Sequence, residues 1–262
     1  MTTKVSSATG ELERALPGSV RGDPQPRSNR LYQTSTMAAL LDAVYDGETT
    51  IDELLEHGNF GLGTFNGLDG EMIVNEHIVH QFRADGHAGT VPAELRTPFA
   101  CVTHFEPEHT IYLDAPMDKP ELEALVDSTI ANPNLIVAVR FTGVFEQVRT
   151  RTVFCQCHPY PKMLDVVAKQ PSLHFGVGGG TMLGFRTPAY MQGLNVAGYH
   201  LHFLDDQQKR GGHVTGYRVF AGRLELAVIS EVEIQLPRSR AFAEANLSPA
   251  DIHEAIRIAE GE

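Results

Sequence analysis

The sequence has no apolar run of the length a bilayer-spanning helix needs, which excludes a membrane-crossing helix. It is short of basic residues, with 21 Lys and Arg against 33 Asp and Glu and a net charge of −12. Neutralising a phosphate backbone needs clustered Lys and Arg, and no basic stripe is present, so nucleic acid is excluded as a partner. Cysteine is scarce. Three residues, Cys101, Cys155 and Cys157, cannot form a disulfide framework and fit reduced thiols in a cytoplasmic protein. Cys155 and Cys157 stand beside His158, but two thiols at an expected strand end read as buried or edge thiols rather than metal ligands. The first 30 residues lack the continuous apolar core of a secretory signal and read as a flexible polar leader. The glycine-rich "FGVGGGTMLGF" has neither the spacing nor the following Lys of a P-loop. It reads as a strand or bend that another backbone approaches closely, next to a pocket.

What is present is an ordinary globular composition, 42% apolar and 21% charged, in a chain long enough for two modest domains. Met37 to Val44 has a short helical pattern. Thr50-Ile51-Asp52-Glu53 is a capping box that opens a second helix ending by Gly58. Two β-favouring runs flank Asp69-Gly70, a hairpin signal. "FACVTHF" and "TIYLDA" read as strands, "KPELEALVDSTIANPN" as a helix stopped by Asn-Pro. "LIVAVRFTGVFEQVRTRTVF" is two strands or one bent one, and "PKMLDVVAKQ" is a short helix. Near the C-terminus, Ser248 with Pro249 predicts a helix N-cap and first turn. Strands outnumber helices and cluster, so the fold class is α+β, built on mixed, largely antiparallel sheets with a few flanking helices. The expected division is a leader over 1–30, a mixed-sheet domain over 31–165 and a β-rich domain over 166–262.

The stretch "GYHLHFLDDQQKRGGH", residues 198–213, carries three histidines. Alternation along a strand puts His200 and His202 on one face. "DDQQKRGG" is a turn and "HVTGYRVFAG" a return strand, so pairing brings His213 beside His202. Three imidazoles then converge on one point with a coordination position left open, the layout of a catalytic metal site. Imidazole suits Zn, Fe, Cu and Ni alike, so spacing does not name the metal. The other nine histidines show no comparable spacing.

This segment, together with the preceding "GFRTPAYMQGLNVAG", the hairpin "GTFNGLDGEMI" and the strand "VRTRTV", resembles the α-acetolactate decarboxylase family, with the motifs in that family's order from about residue 31 onward. The resemblance implies a homodimer of two-domain subunits, each with one Zn2+ held by His200, His202 and His213. It implies removal of CO2 from 2-acetolactate to give acetoin. Residue by residue, it places a site glutamate on Glu71, a strand arginine on Arg151 and a pocket threonine on Thr64. It also places a second glutamate near the C-terminus, on Glu260, with Glu254 in the same helix as its rival.

The chemistry agrees with this set. Loss of CO2 from a 2-hydroxy-3-oxo acid pushes an electron pair onto C2 and toward the C3 carbonyl. A metal that holds the hydroxyl and keto oxygens offsets the charge of the enediolate. Arg151 is suited to the substrate carboxylate, with Arg149, two residues away on the same expected face, as rival. A carboxyl, Glu71 or Glu260, is needed to return a proton to C2. Two other classes share the histidine pattern: a cupin-like iron or manganese oxygenase, and a metal-containing interaction module of a kind linked to DNA binding. Asp205 and Asp206 stand in the turn, out of strand phase, which disfavours the oxygenase. The acidity of the chain disfavours the module.

Overall fold

The computed structural model describes residues 29–260, so the leader expected over 1–30 lies, apart from its last two residues, outside them. Residues 30–103 run as β1 (Arg30–Thr34), α1 (Met37–Leu41), β2 (Thr49–Thr50), α2 (Ile51–Leu55), β3 (Phe60–Thr64), β4 (Glu71–Asn75), β5 (Ile78–Phe82), β6 (Ala88–Thr90), β7 (Arg96–Thr97) and β8 (Ala100–Thr103). Residues 109–229 give β9 (His109–Leu113), β10 (Met117–Asp118), α3 (Lys119–Thr129), β11 (Ile136–Arg151), α4 (Met163–Val167), β12 (Ser172–Phe175), β13 (Gly178–Thr187), β14 (Gly198–Asp205) and β15 (Gly211–Ile229). β16 (Glu231–Gln235), α5 (Arg240–Glu244) and α6 (Ile252–Glu260) follow.

Local chemistry sets several of these boundaries. Thr36 caps α1 by accepting the Ala39 N–H at 3.1 Å. That helix stops at Leu41, short of Val44, where Ala43 takes a positive φ of 69°. The capping box at α2 forms as expected, with Glu53 N–H on Thr50 Oγ1 and Thr50 N–H on Glu53 Oε2. A second box opens α3, between Asp118 and Glu121. The terminal helix starts at Ile252, not at Pro249 behind a Ser248 cap. Pro249 lies in the turn before it, where its carbonyl accepts the Ile252 N–H. The face of α6 that packs on the core begins with Ile252, and no apolar residue before it holds a helical turn at 249–251.

The fold is α+β with mixed, mostly antiparallel sheets. The first sheet has the order β16-β1-β8-β3-β4-β5-β6, with only the β1–β16 pairing parallel. The second is built round β11 and β15, which pair along most of their lengths. β11 also pairs with β13, β13 with β14 and β14 with β15, so the four pairings close a circuit. The stretch expected as two strands or a bent one is a single 16-residue strand, β11, with register shifts at Val144/Phe145, Phe145/Gln147 and Arg149/Thr150.

The sheets divide the chain elsewhere than at residue 165. The changeover falls between β8 and β9, and β16 returns to the first sheet beside β1. Alternation in a sequence shows that a strand exists, not which strand it pairs with.

Alternation also sorts the faces of the second sheet. Val137, Val139, Phe141, Leu201 and Phe203 pack with Leu122 and Val126 of α3. The opposite face, with Ala138, Leu183, Phe185 and Leu204, meets Leu31, Leu62 and Ile73 of the first sheet. His200 and His202 alternate with Leu201 and Phe203, so they point into the layer between the sheets. At one end of that layer α1, α4 and α6 pack on one another.

Candidate active site

One cross-strand row carries much of the site. Arg151 on β11 is in register with His213 on β15, and His213 with His202 on β14. His200 lies two residues along β14 on the same face. Ring centroids are 5.2 Å apart for His200 and His202, 5.1 Å for His200 and His213, and 5.5 Å for His202 and His213. One nitrogen from each ring lies within 4.8 Å of the other two. The strand geometry needs glycine beside it: a Cβ on Gly184 of β13 would stand 2.1 Å from the His200 carbonyl oxygen. That is the close backbone approach expected of the glycine-rich stretch.

The first sheet supplies the next groups. β3 and β4 are joined by a tight loop and pair at Thr64 and Glu71. Gly70 in that loop has φ 84°, and a Cβ there would fall 2.4 Å from the Phe82 carbonyl oxygen. The Thr64 hydroxyl donates to the Gly70 carbonyl at 2.7 Å, and Arg83 Nε to Asp69 Oδ1 at 2.8 Å. The loop so held places Glu71 Oε2 at 3.5 Å from His202 Nε2. The Met72 carbonyl of the same strand lies 2.9 Å from His202 Nδ1. A proton on Nδ1 satisfies that contact and leaves the Nε2 lone pair free. His202 Nε2 is buried without a hydrogen-bond partner among the described residues.

The C-terminal helix closes the pocket. Glu260 Oε2 lies 3.5 Å from His213 Nε2 and 3.8 Å from His200 Nε2. Glu254 is outside, exposed and paired with Arg257 at 2.7 Å. Six helical positions turn the two residues to different faces, and the buried face carries Glu260. Arg151 is buried and donates to the Ala259 carbonyl. Arg149 is exposed: it pairs with Gly216, two residues along β11 from the Arg151–His213 pair, and the extra residue of the register shift there, Thr215, belongs to β15. Asp205 closes the hairpin turn instead of facing the histidines. Its carboxylate accepts from the backbone N–H of Lys209 and Arg210 and from Arg210 Nε. Cys155 and Cys157 are free and exposed, neither buried nor in a strand.

Thr64, Glu71, Arg151, the three histidines and Glu260 therefore line one pocket, a cavity of about 50 Å³. Its electrostatics follow from burial. The Glu71 carboxyl is pushed up to about 8 by desolvation, with Arg151 opposing and Glu260 reinforcing. Burial, reinforced by Arg151, pushes His200 down to about 3. His202 and His213 also fall well below the usual histidine value, mainly through burial. Neutral imidazoles are the ligating form. Three of them, two with a buried nitrogen that makes no hydrogen bond among the described residues, form a donor set that could hold a metal ion with positions left open. The pattern of the sequence did not reveal the apolar wall opposite. Met37 and Leu40 of α1 and Met163 and Val167 of α4 line it, and nothing in an apolar helix face distinguishes a pocket wall from core.

The family model for alpha-acetolactate decarboxylase matches residues 31–249. The chain belongs to that family. The alpha-acetolactate decarboxylase of Klebsiella aerogenes is 44% identical over 255 residues, covering 97% of this chain and 98% of that protein. The alpha-acetolactate decarboxylase of Bacillus subtilis strain 168 is 39% identical over 241 residues, covering 92% and 94%. A crystal structure of the decarboxylase from that strain superposes with a TM-score of 0.87 at 40% identity, over 89% of this chain and all of that one. Agreement along nearly the whole of both chains makes this protein an enzyme of the carboxy-lyase class, as the alpha-acetolactate decarboxylase motifs had implied.

Proposed function

We propose that the chain decarboxylates 2-acetolactate to acetoin, with Zn2+ held by His200, His202 and His213. The observation that carries this is the convergence, in one pocket, of three neutral imidazoles, two carboxyl groups and a buried arginine. Bound there, zinc would supply Lewis acidity toward the hydroxyl and keto oxygens of the substrate. Arg151 takes the substrate carboxylate. Its guanidinium is fixed by the Ala259 carbonyl, and burial strengthens its hold on an anion. Cleavage of the bond to CO2 leaves its electron pair at C2, and a proton must be returned there. Glu71 and Glu260 flank the histidines, and one of these carboxyls delivers it. Thr64 holds the loop before Glu71 through its hydroxyl and lines the pocket.

We further place the protein in the cytoplasm as a homodimer. The free state of all three cysteines supports the compartment, and the family resemblance supports the dimer. No helix among the described residues is long and apolar enough to cross a membrane. Sedimentation velocity gives the oligomeric state directly.

The deciding experiment measures acetoin formed from racemic acetolactate by the protein as purified, after chelation, and after zinc is restored. The expected result is activity that disappears on chelation and returns with zinc. Zinc bound at the three histidines with no acetoin formed would overturn the substrate. Undiminished activity in fully metal-free protein would overturn the metal's part.

A further inference from the structure

The polar and apolar halves of the pocket come from different parts of the fold. The histidines, Arg151 and Glu71 stand on hydrogen-bonded strands, whose pairings fix them. Much of the opposite wall comes from α1 and α4, helices of five residues each, which pack on each other and on α6 outside both sheets. Met37 and Leu40 of α1 are fully buried. α4 differs: Val167 is buried, but Met163, which also lines the pocket, is only half-buried. A methionine has three rotatable side-chain bonds and no branching, so it yields to a ligand more readily than Leu40 or Val167.

A 2-hydroxy-3-oxo acid offers its oxygens and carboxylate to the polar half. Its remaining apolar groups are the alkyl group on C2 and the C4 methyl of the acyl group, and only the apolar half can receive them. The cavity is small, about 50 Å³, so the apolar side has little room to spare and the side chains that bound it decide what fits. α1 and α4 form that boundary, and Met163 of α4 is its less buried part.

We infer that Met163 of α4 sets how long an alkyl group on C2 the enzyme accepts, making it a specificity-determining residue for 2-alkyl-2-hydroxy-3-oxo acids. Val167, one helical turn further on, is the rigid back of the same wall. The inference rests on the proposed decarboxylation and deepens it.

The test compares kcat/KM for the 2-methyl, 2-ethyl and 2-propyl acids by release of CO2, in the zinc-loaded parent, Met163→Ala and Met163→Phe. Met163→Ala should raise the propyl-to-methyl ratio by about tenfold or more, the scale of one methylene in an apolar pocket. Met163→Phe should lower the ethyl-to-methyl ratio by a similar factor. Either variant suffices if the other fails to fold. A ratio within one protein does not change with the fraction folded, so a merely structural role for Met163 would leave it alone. Ratios equal to the parent's would overturn the inference and leave the decarboxylation standing. A parent that releases no CO2 from the 2-methyl acid would overturn the decarboxylation, and the inference with it.

Discussion

Burial moves the titrating groups of the pocket in opposite directions on the pH scale, and in each case favours the neutral form. Glu71 is raised to about 8 and His200 lowered to about 3. For Glu71 the folded value lies above the ordinary 4.5, so its contribution to stability is complete below about pH 4.5 and is lost as the pH rises through about 8. Glu71→Gln keeps the shape and removes the titration. In chelated protein, the melting temperatures of parent and variant should differ by a fixed amount at and below about pH 4.5. The parent should then lose ground steadily up to about pH 9. A gap that stays constant across that span would show that Glu71 does not titrate there. In the zinc-loaded enzyme the same substitution should lower kcat by about 10²–10⁴-fold, the range for a positioned acid–base group, as read in a CO2-release assay. Individual residues differed in how legible they were. His200 and His202 were visible because a period of two fixes a common face. Glu260 could not be separated from Glu254, because a helical pattern does not say which face docks. Arg151 could not be separated from Arg149, because alternation puts both on one face of the strand and does not say which of them pairs with a histidine strand.

Elements turn these residues into a site, and the two hairpins do most of it. The β14–β15 hairpin was legible in its existence and in the pairing of His202 with His213, but not in its bounds: Asp205 ends β14, Gly211 and Gly212 are already strand, and β15 runs on to Ile229. The β3–β4 connection was legible as a hairpin but not in its detail, since Asp69 is clamped by Arg83 and Gln81, residues a strand away. Its demand for glycine at position 70 is physical, with φ at 84° and a carbonyl oxygen where a Cβ would stand. Gly70→Ala should therefore destabilise the protein by roughly 1–3 kcal/mol, the usual cost of a strained backbone residue, measured by urea unfolding. It should cost more in catalysis than in stability, because Glu71 is the next residue and a displacement of about 1 Å is worth on the order of 10²-fold. Full activity at reduced stability would mean that the turn serves the fold but does not position Glu71. The terminal helix shows the opposite limit of sequence reasoning. Its existence was plain, yet its start was misplaced by the Ser-Pro cap signal, because docking of Ile252, Ala255, Ile256 and Ala259 sets where its order begins.

At the scale of the whole molecule, the site is a joint. The histidines belong to the second sheet, Glu71 and the Met72 carbonyl to the first, and Glu260 to the last helix. The class of fold was readable from the clustering of strands, but this joint was not, because the partner of each strand is decided by packing between segments far apart in the chain. β11 illustrates it: the sequence grouped Arg151 with Glu71, whereas the strand that carries it is hydrogen-bonded beside the histidines. A joint of this kind predicts where a bound metal will be felt. Zinc that binds only the folded chain stabilises it by about 2.7 kcal/mol at a free concentration one hundred times Kd. For a chain of this size that is a rise in Tm of about 5–10 °C. The rise should vanish in His202→Ala. Its structural reach is the sharper test. The carboxyl groups of Glu71 and Glu260 both stand beside the histidines, so zinc should slow amide hydrogen exchange in β4 and α6 as well as in the β14–β15 hairpin. Protection confined to the hairpin would mean that the ion sits on one element and leaves the two carboxyls, and the chemistry assigned to them, outside its influence.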